Sequence, residues 1–152
     1  MSLSIRPLSP ALGAEIVGLD LRRPLEPAIV KEIEDAWHRH IVLVFRDQTL
    51  TESEQVRFAL NFGELGRRKR RREDRPEGAD ADHIMLITNI RQNGVPIGSL
   101  PDGEMLFHHD MCYQDVPDKA TMLFALDVTR DDGHTLFANL YRAYELMWPA
   151  LK

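Results

Sequence analysis

Five short apolar segments, none longer than eight residues, are spread along this 152-residue chain: 14–20, 41–45, 83–89, 121–128 and 135–139. Runs of this length that are rich in β-branched and aromatic residues predict strands rather than helices. Helical patterns fall between some of them without a regular βαβ alternation, and no Gly-rich phosphate loop joins a strand to a helix. These features exclude a Rossmann or P-loop fold. They predict an α+β protein with a jelly-roll type of sheet and N-terminal helices.

Three segments are predicted to be helices. Pro27 suits a first helical turn, and apolar residues recur at helical spacing from there to Ile41. Thr51 and Glu54 form a capping-box sequence that starts a second helix, and Asn139 is expected to cap a third. The apolar face expected for the second helix consists of Val56, Ala59, Leu60 and Phe62. That of the third helix consists of Leu140, Ala143, Tyr144 and Met147.

Composition limits the partners and the compartment. The formal net charge is −5, which argues against nucleic-acid binding although RRKRRR occupies residues 67–72. Acidic neighbours offset that run, and we assign residues 66–82 to a long solvated basic loop. No apolar run is long enough to cross a membrane, and Cys112 is the single cysteine, so no intrachain disulfide is possible. We expect a cytoplasmic protein without membrane or nucleic-acid partners.

The stretch FHHDMCY at residues 107–113 concentrates metal-binding side chains. If it is a strand, His108, Asp110 and Cys112 share one face and His109 points to the other. One imidazole and one carboxylate make two-thirds of the facial triad that holds Fe(II) in non-haem oxygenases. Cys112 would instead favour zinc, or is a small buried hydrophobe. A plain hydrogen-bonded histidine–aspartate pair is the simpler alternative.

Several separate landmarks give this motif a context. In chain order they read SIRPLSPALGAEIVGLDLRRPL, HRHIVLVFRDQTLT, FALNFGELG, FHHDMCY and GHTLFANLYRAYELM. In this order they resemble the TauD/TfdA family of Fe(II)- and 2-oxoglutarate-dependent dioxygenases, over essentially the entire chain. The resemblance implies a double-stranded β-helix, incomplete here, and a reaction with 2-oxoglutarate and O2. That reaction hydroxylates a small organic substrate and releases succinate and CO2.

The resemblance also assigns residues. His108 and Asp110 match the first two iron ligands of the family, and Thr135 matches the threonine that binds a carboxylate of 2-oxoglutarate. The third ligand and the 2-oxoglutarate-binding arginine lie further downstream in the family, so residues 1–152 look like the N-terminal half of one dioxygenase domain. The family usually has G-G-D-T before the threonine strand, where this chain has DGHT at residues 132–135.

The substrate positions of taurine dioxygenases are changed in this chain. Where that group has a histidine, a tyrosine and an asparagine, the corresponding regions here hold Arg67, Arg68, Arg71 and Glu104. We therefore expect an anionic substrate other than taurine, with Arg68 as its partner. Glu104 is a further candidate, and Asn89 is placed either at the site mouth or in a turn.

Three hypotheses follow. The first is a dioxygenase whose chain of 152 residues is inactive by itself and self-associates as a homo-oligomer, because unpaired sheet edges are exposed. The second is a truncated, non-catalytic family member. The third is a zinc-binding interaction module that uses His108, Asp110 and Cys112.

Overall fold

The computed structural model describes residues 3–66, 83–98, 106–131 and 133–152. The chain divides into two compact units. Unit 1 combines the segment up to Leu50 with Leu126–Lys152, and unit 2 is Thr51–Ala125. The predicted basic loop lies outside the described residues, apart from Gly66. The assignment of residues 1–152 to one dioxygenase domain stays a prediction.

A three-stranded sheet organises unit 1. Strand β1 (Ser4–Pro7) pairs antiparallel with β2 (Ala14–Val17), and β2 pairs in parallel with β3 (Leu43–Val44). Helix α1 (Pro27–His40) forms the crossover that two parallel neighbours require. The expected strands near residues 14–20 and 41–45 are therefore present but shorter, and β1 was not expected.

The core of unit 1 lies between this sheet and α1. Pro27 stands in the first turn of the helix, where its missing N–H would have no helical partner. The helix directs its apolar stripe inward, as the sequence periodicity predicted. The buried side chains are Ala14, Ile16, Leu21, Ile33 and Ala36.

Glu15 on the central strand is a buried carboxylate, at 6% exposure. It forms an ion pair with Arg6, its cross-strand partner on β1, and Arg46 Nε lies 3.6 Å from its Oε1. A buried charge is tolerated when it is paired in this way. The two arginines thereby allow a charged residue in the middle strand.

Asn139 joins the two parts of unit 1. Its side-chain oxygen accepts a hydrogen bond from the Arg142 backbone N–H at 3.1 Å and so caps α3 (Leu140–Leu146), as predicted. Its amide nitrogen donates to the carbonyl oxygen of Ala11 at 2.7 Å. One side chain therefore starts the last helix and ties it to the N-terminal segment.

Helix α2 (Glu52–Ala59) belongs to unit 2 and begins with the predicted capping box. Thr51 Oγ1 accepts from the Glu54 N–H at 3.3 Å, and the Glu54 carboxylate accepts from the Thr51 N–H at 2.8 Å. The chain then tightens into a 3₁₀ turn over Leu60–Phe62. The 3₁₀ turn changes the spacing of the side chains, so the predicted apolar face is wrong in part. Leu60 is 55% exposed, whereas Phe58 is buried and packs edge-on against Phe62.

A hairpin that the sequence analysis did not predict follows residue 90. Strands β4 (Arg91–Gln92) and β5 (Val95–Pro96) pair antiparallel around Asn93 and Gly94. Both turn residues have positive φ, 50° and 80°, which is the signature of a type I′ hairpin turn. The Asn-Gly pair was a readable signal for it.

Strands were also predicted at 83–89, 121–128 and 135–139, and the described residues there do not form them. Over these residues, as far as the structure describes them, no ladder forms. An extended segment becomes a strand only when a neighbour satisfies its backbone N–H and C=O groups. Residues 84–88 keep the predicted alternation of exposed and half-buried side chains, so the pattern is present without the pairing. The jelly roll is thus not formed by the described part of the chain.

Large apolar side chains are exposed throughout the described residues after 105. The face of α3 that was expected to be buried is exposed, with Leu140 at 65% and Tyr144 at 55%. Exposed apolar patches of this kind mark surfaces that pack against other protein. Self-association remains a prediction.

None of the helices in the described part of the chain combines the length and apolarity of a membrane span.

The double role of Asn139 predicts a graded effect on stability. Asn139→Ala removes both the cap and the bond to Ala11, and should lower the free energy of unfolding by about 1–2 kcal/mol. Asn139→Asp keeps the capping oxygen but loses the amide donor, so its loss should be smaller. Urea unfolding followed by circular dichroism measures both variants. Equal losses in the two variants, or none, would contradict the double role.

Candidate metal centre

The segment that carries His108 and Asp110 does not form a strand. Turn structure begins at Asp110, Met111 has φ of 56°, and the Gln114 N–H donates to the Met111 carbonyl at 3.0 Å. A left-handed residue reverses the direction of the chain and ends any strand alternation. The prediction that strand alternation brings His108 and Asp110 together was therefore wrong.

The two side chains meet nevertheless. His108 Nε2 lies 2.9 Å from Asp110 Oδ1. Both side chains are about half exposed, at 51% and 50%. The pair is thus accessible from solvent, as a site that takes up an ion and small molecules must be.

The other ring nitrogen of His108 is held by its own backbone neighbourhood. Nδ1 lies 2.9 Å from the carbonyl oxygen of Leu106. A carbonyl only accepts hydrogen bonds, so Nδ1 carries the proton and Nε2 is the nitrogen that is left for a metal ion. This is the usual way in which a metal-binding histidine is oriented.

The same contacts favour the imidazolium in the metal-free chain. The Leu106 carbonyl first, and then the Asp110 carboxylate, raise the pKa of His108 above its usual value. Both acceptors stabilise a ring that is protonated at both nitrogens. A metal ion at Nε2 therefore has to displace a proton.

Thr121 holds the opposite oxygen of the carboxylate. Its Oγ1 hydroxyl donates to Asp110 Oδ2 at 2.8 Å. Because Oδ2 is engaged there, Oδ1 is the oxygen directed toward His108. Thr121 was missed at the sequence level, where it appeared as the first residue of an apolar run with no visible link to a motif.

The donor atoms of the pair suit a divalent ion. In this structure Nε2 and Oδ1 are hydrogen-bonded to each other at 2.9 Å, and an ion bound between them would replace that hydrogen bond. One imidazole with one carboxylate oxygen is also the ligand combination that suits Fe(II).

Within the described residues, no group of three or more His, Cys, Asp and Glu side chains is placed to hold a metal ion. The zinc site proposed from His108, Asp110 and Cys112 is therefore not formed, although all three residues are described. Cys112 is exposed, so its alternative reading as a small buried hydrophobe is also wrong. The left-handed backbone at Met111 breaks the strand alternation that would have placed Cys112 on the same face as His108 and Asp110.

The remaining candidates are distributed as follows. Thr135 lies in unit 1 and is exposed, and Asn89 lies in unit 2, exposed, just before the β4–β5 hairpin. Arg68 and Glu104 lie outside the described residues, as do Arg67 and Arg71. For these residues, a role at the site stays a prediction.

A family model described as the taurine catabolism dioxygenase TauD, TfdA family matches residues 4–152. The chain belongs to the TauD/TfdA family. The resemblance inferred from the ordered landmarks is confirmed.

Curated relatives in this family come from several bacteria. The alpha-ketoglutarate-dependent 2,4-dichlorophenoxyacetate dioxygenase of Cupriavidus pinatubonensis is 32% identical over 155 residues, covering 97% of this chain and 53% of the relative. The (S)-phenoxypropionate/alpha-ketoglutarate-dioxygenase of Delftia acidovorans is 28% identical, covering 96% and 49%. A solved taurine dioxygenase from Burkholderia xenovorans matches 42% of this chain and 23% of its own, with 44% identity and a TM-score of 0.41. The chain spans about half the length of the curated relatives it matches.

The raised pKa of His108 predicts how its titration responds to Asp110. Asp110→Asn keeps the shape of the side chain but removes its charge, so the midpoint of His108 should fall. It should stay above the ordinary value of about 6.5, because the larger cause, the Leu106 carbonyl, remains. Imidazole NMR titration measures this, with the exposed Asp115→Asn as the matched control.

The raised pKa of His108 also determines how the stability of the folded chain depends on pH. Because the pKa of His108 is raised on folding, the contribution of the pair is complete below about pH 6.5 and is lost as the pH rises through the raised value. An unchanged or higher midpoint in Asp110→Asn would refute the contact between the two side chains.

Proposed function

We propose that this chain supplies the first two iron ligands, His108 and Asp110, of a 2-oxoglutarate-dependent dioxygenase. The supporting observation is the 2.9 Å approach of His108 Nε2 to Asp110 Oδ1 in a chain of the TauD/TfdA family. Fe(II) held there with 2-oxoglutarate would activate O2 and hydroxylate a C–H bond, with release of succinate and CO2.

The residues of the chain have separate tasks in this proposal. His108 gives its Nε2 lone pair while its Nδ1–H stays on the Leu106 carbonyl, which keeps the ring from rotating. Asp110 gives Oδ1 and neutralises part of the charge of the ion. The half-exposed setting of both side chains leaves open positions for 2-oxoglutarate and O2, which the facial arrangement requires.

Thr135 is proposed to bind a carboxylate of 2-oxoglutarate through its hydroxyl. The support is its match to the family threonine, in the sequence DGHT at residues 132–135. A hydroxyl that donates to a carboxylate forms a charge-assisted hydrogen bond, which fixes the cosubstrate as well as attracting it.

The substrate is proposed to be a small organic anion. Relatives of this chain are named for 2,4-dichlorophenoxyacetate, (S)-phenoxypropionate and a sulfate ester. Each of these compounds carries a carboxylate or a sulfate. Arg68 in the basic run is the candidate partner for such a group, since a guanidinium pairs with planar oxyanions in two parallel hydrogen bonds.

A non-catalytic role is the second candidate, and one observation favours it. A facial triad needs three protein ligands, and the described residues bring two together at this site. We expect the 152-residue chain by itself to bind Fe(II) weakly and to form no succinate. Robust turnover by this chain would show that a further residue or a second copy completes the site.

Substitution of the two neighbours in the motif tests the ligand assignment. Asp110→Ala should abolish Fe(II)-dependent succinate formation in the full gene product that contains this sequence. His109→Ala should retain measurable activity, because His109 is not the histidine that contacts Asp110. Succinate release with Fe(II), ascorbate and 2-oxoglutarate is the assay, and circular dichroism controls for folding. Complete loss in both folded variants would contradict the assignment.

Thr135→Val tests the cosubstrate contact. Loss of one hydroxyl donor to a carboxylate should cost about 1.5–3 kcal/mol of 2-oxoglutarate binding and leave iron affinity nearly unchanged. Thr135→Ser keeps the hydroxyl and serves as the matched control. Titration with 2-oxoglutarate separates them. Identical dissociation constants for the Val and Thr proteins would remove Thr135 from the site.

A further inference from the structure

The carboxylate of Asp110 is held at both oxygens. Oδ1 faces His108 Nε2 at 2.9 Å, and Oδ2 accepts the Thr121 hydroxyl at 2.8 Å. We propose that Thr121 is the positioning residue of this site, which fixes Asp110 so that one oxygen is presented to a divalent ion beside His108. This inference rests on the proposed function.

A threonine hydroxyl suits this task. Oδ2 is a charged acceptor, so the bond from Thr121 is shorter and stronger than one between neutral groups. The β-branched side chain of threonine has few χ1 rotamers, and its hydroxyl is therefore aimed rather than mobile. With Oδ2 engaged by the hydroxyl, Oδ1 is the oxygen that would bind an ion beside His108.

The exposure of the three residues argues against a purely structural role. Thr121, Asp110 and His108 are all exposed in unit 2. None of the three side chains is part of the buried core of the described residues, so the main effect of the bond is to orient the Asp110 carboxylate. Asp110 also begins the turn, directly before Met111 with its left-handed backbone. Without the Thr121 bond, the Asp110 side chain would have several rotamers available.

The test compares Thr121→Val, which removes the hydroxyl at nearly constant shape, with Thr121→Ser, which keeps it. Thr88→Val is the matched control, since the Thr88 hydroxyl accepts from the Ile90 backbone N–H just before β4. The first readout needs no metal: side-chain J couplings report whether Asp110 has one χ1 rotamer. The second is the Mn(II) dissociation constant, taken from the electron paramagnetic resonance signal of free Mn(II).

We expect a single Asp110 rotamer in the wild-type, Thr121→Ser and Thr88→Val proteins and averaged rotamers in Thr121→Val. Mn(II) binding should weaken on the order of tenfold in Thr121→Val, and Thr121→Ser should restore most of it. An unchanged rotamer or unchanged Mn(II) affinity in Thr121→Val would overturn the positioning role. If the wild-type chain binds no Mn(II), the proposed function fails, and the rotamer populations still decide whether Thr121 fixes Asp110.

Discussion

Backbone pairing on both sides of β2 is the constraint on which unit 1 depends. The strand is paired with β1 over its four residues and with β3 at Ala14 and Glu15. Because it is central, its side chains meet α1 on the core face, and its one buried charge needs Arg6 and Arg46 as partners. Residues 121–128 have a strand-like composition but no such neighbouring strand. They join no sheet in the described part of the chain.

The His108–Asp110 pair forms without a sheet because its contacts are nearly all local. The Leu106 carbonyl and Asp110 each lie two residues from His108, and only Thr121 reaches the pair from further along the chain. Local contacts cost little loop-closure entropy. This explains how half the length of a TauD/TfdA relative can hold two prospective ligands while the predicted jelly roll is not formed by its described residues.

Features governed by neighbouring residues were predictable from the sequence. The capping box at Thr51, the cap at Asn139 and the apolar stripe of α1 all depend on contacts within a few positions. Features that depend on distant partners were not, which explains why the strands expected at 83–89 and 135–139 join no sheet in the part of the chain that the structure describes. The meeting of His108 and Asp110 was predicted from strand alternation, yet no strand forms there, a turn begins at Asp110, and a distant hydroxyl holds the carboxylate.

The central claim is that His108 and Asp110 together bind a divalent ion. The most direct measurement is paramagnetic line broadening in NMR spectra of the chain during a titration with substoichiometric Mn(II), which detects even weak binding. The account predicts that the His108 ring and Asp110 signals broaden first, and that Asp110→Ala removes this selectivity. Broadening centred on another residue, or unaffected by Asp110→Ala, would contradict it.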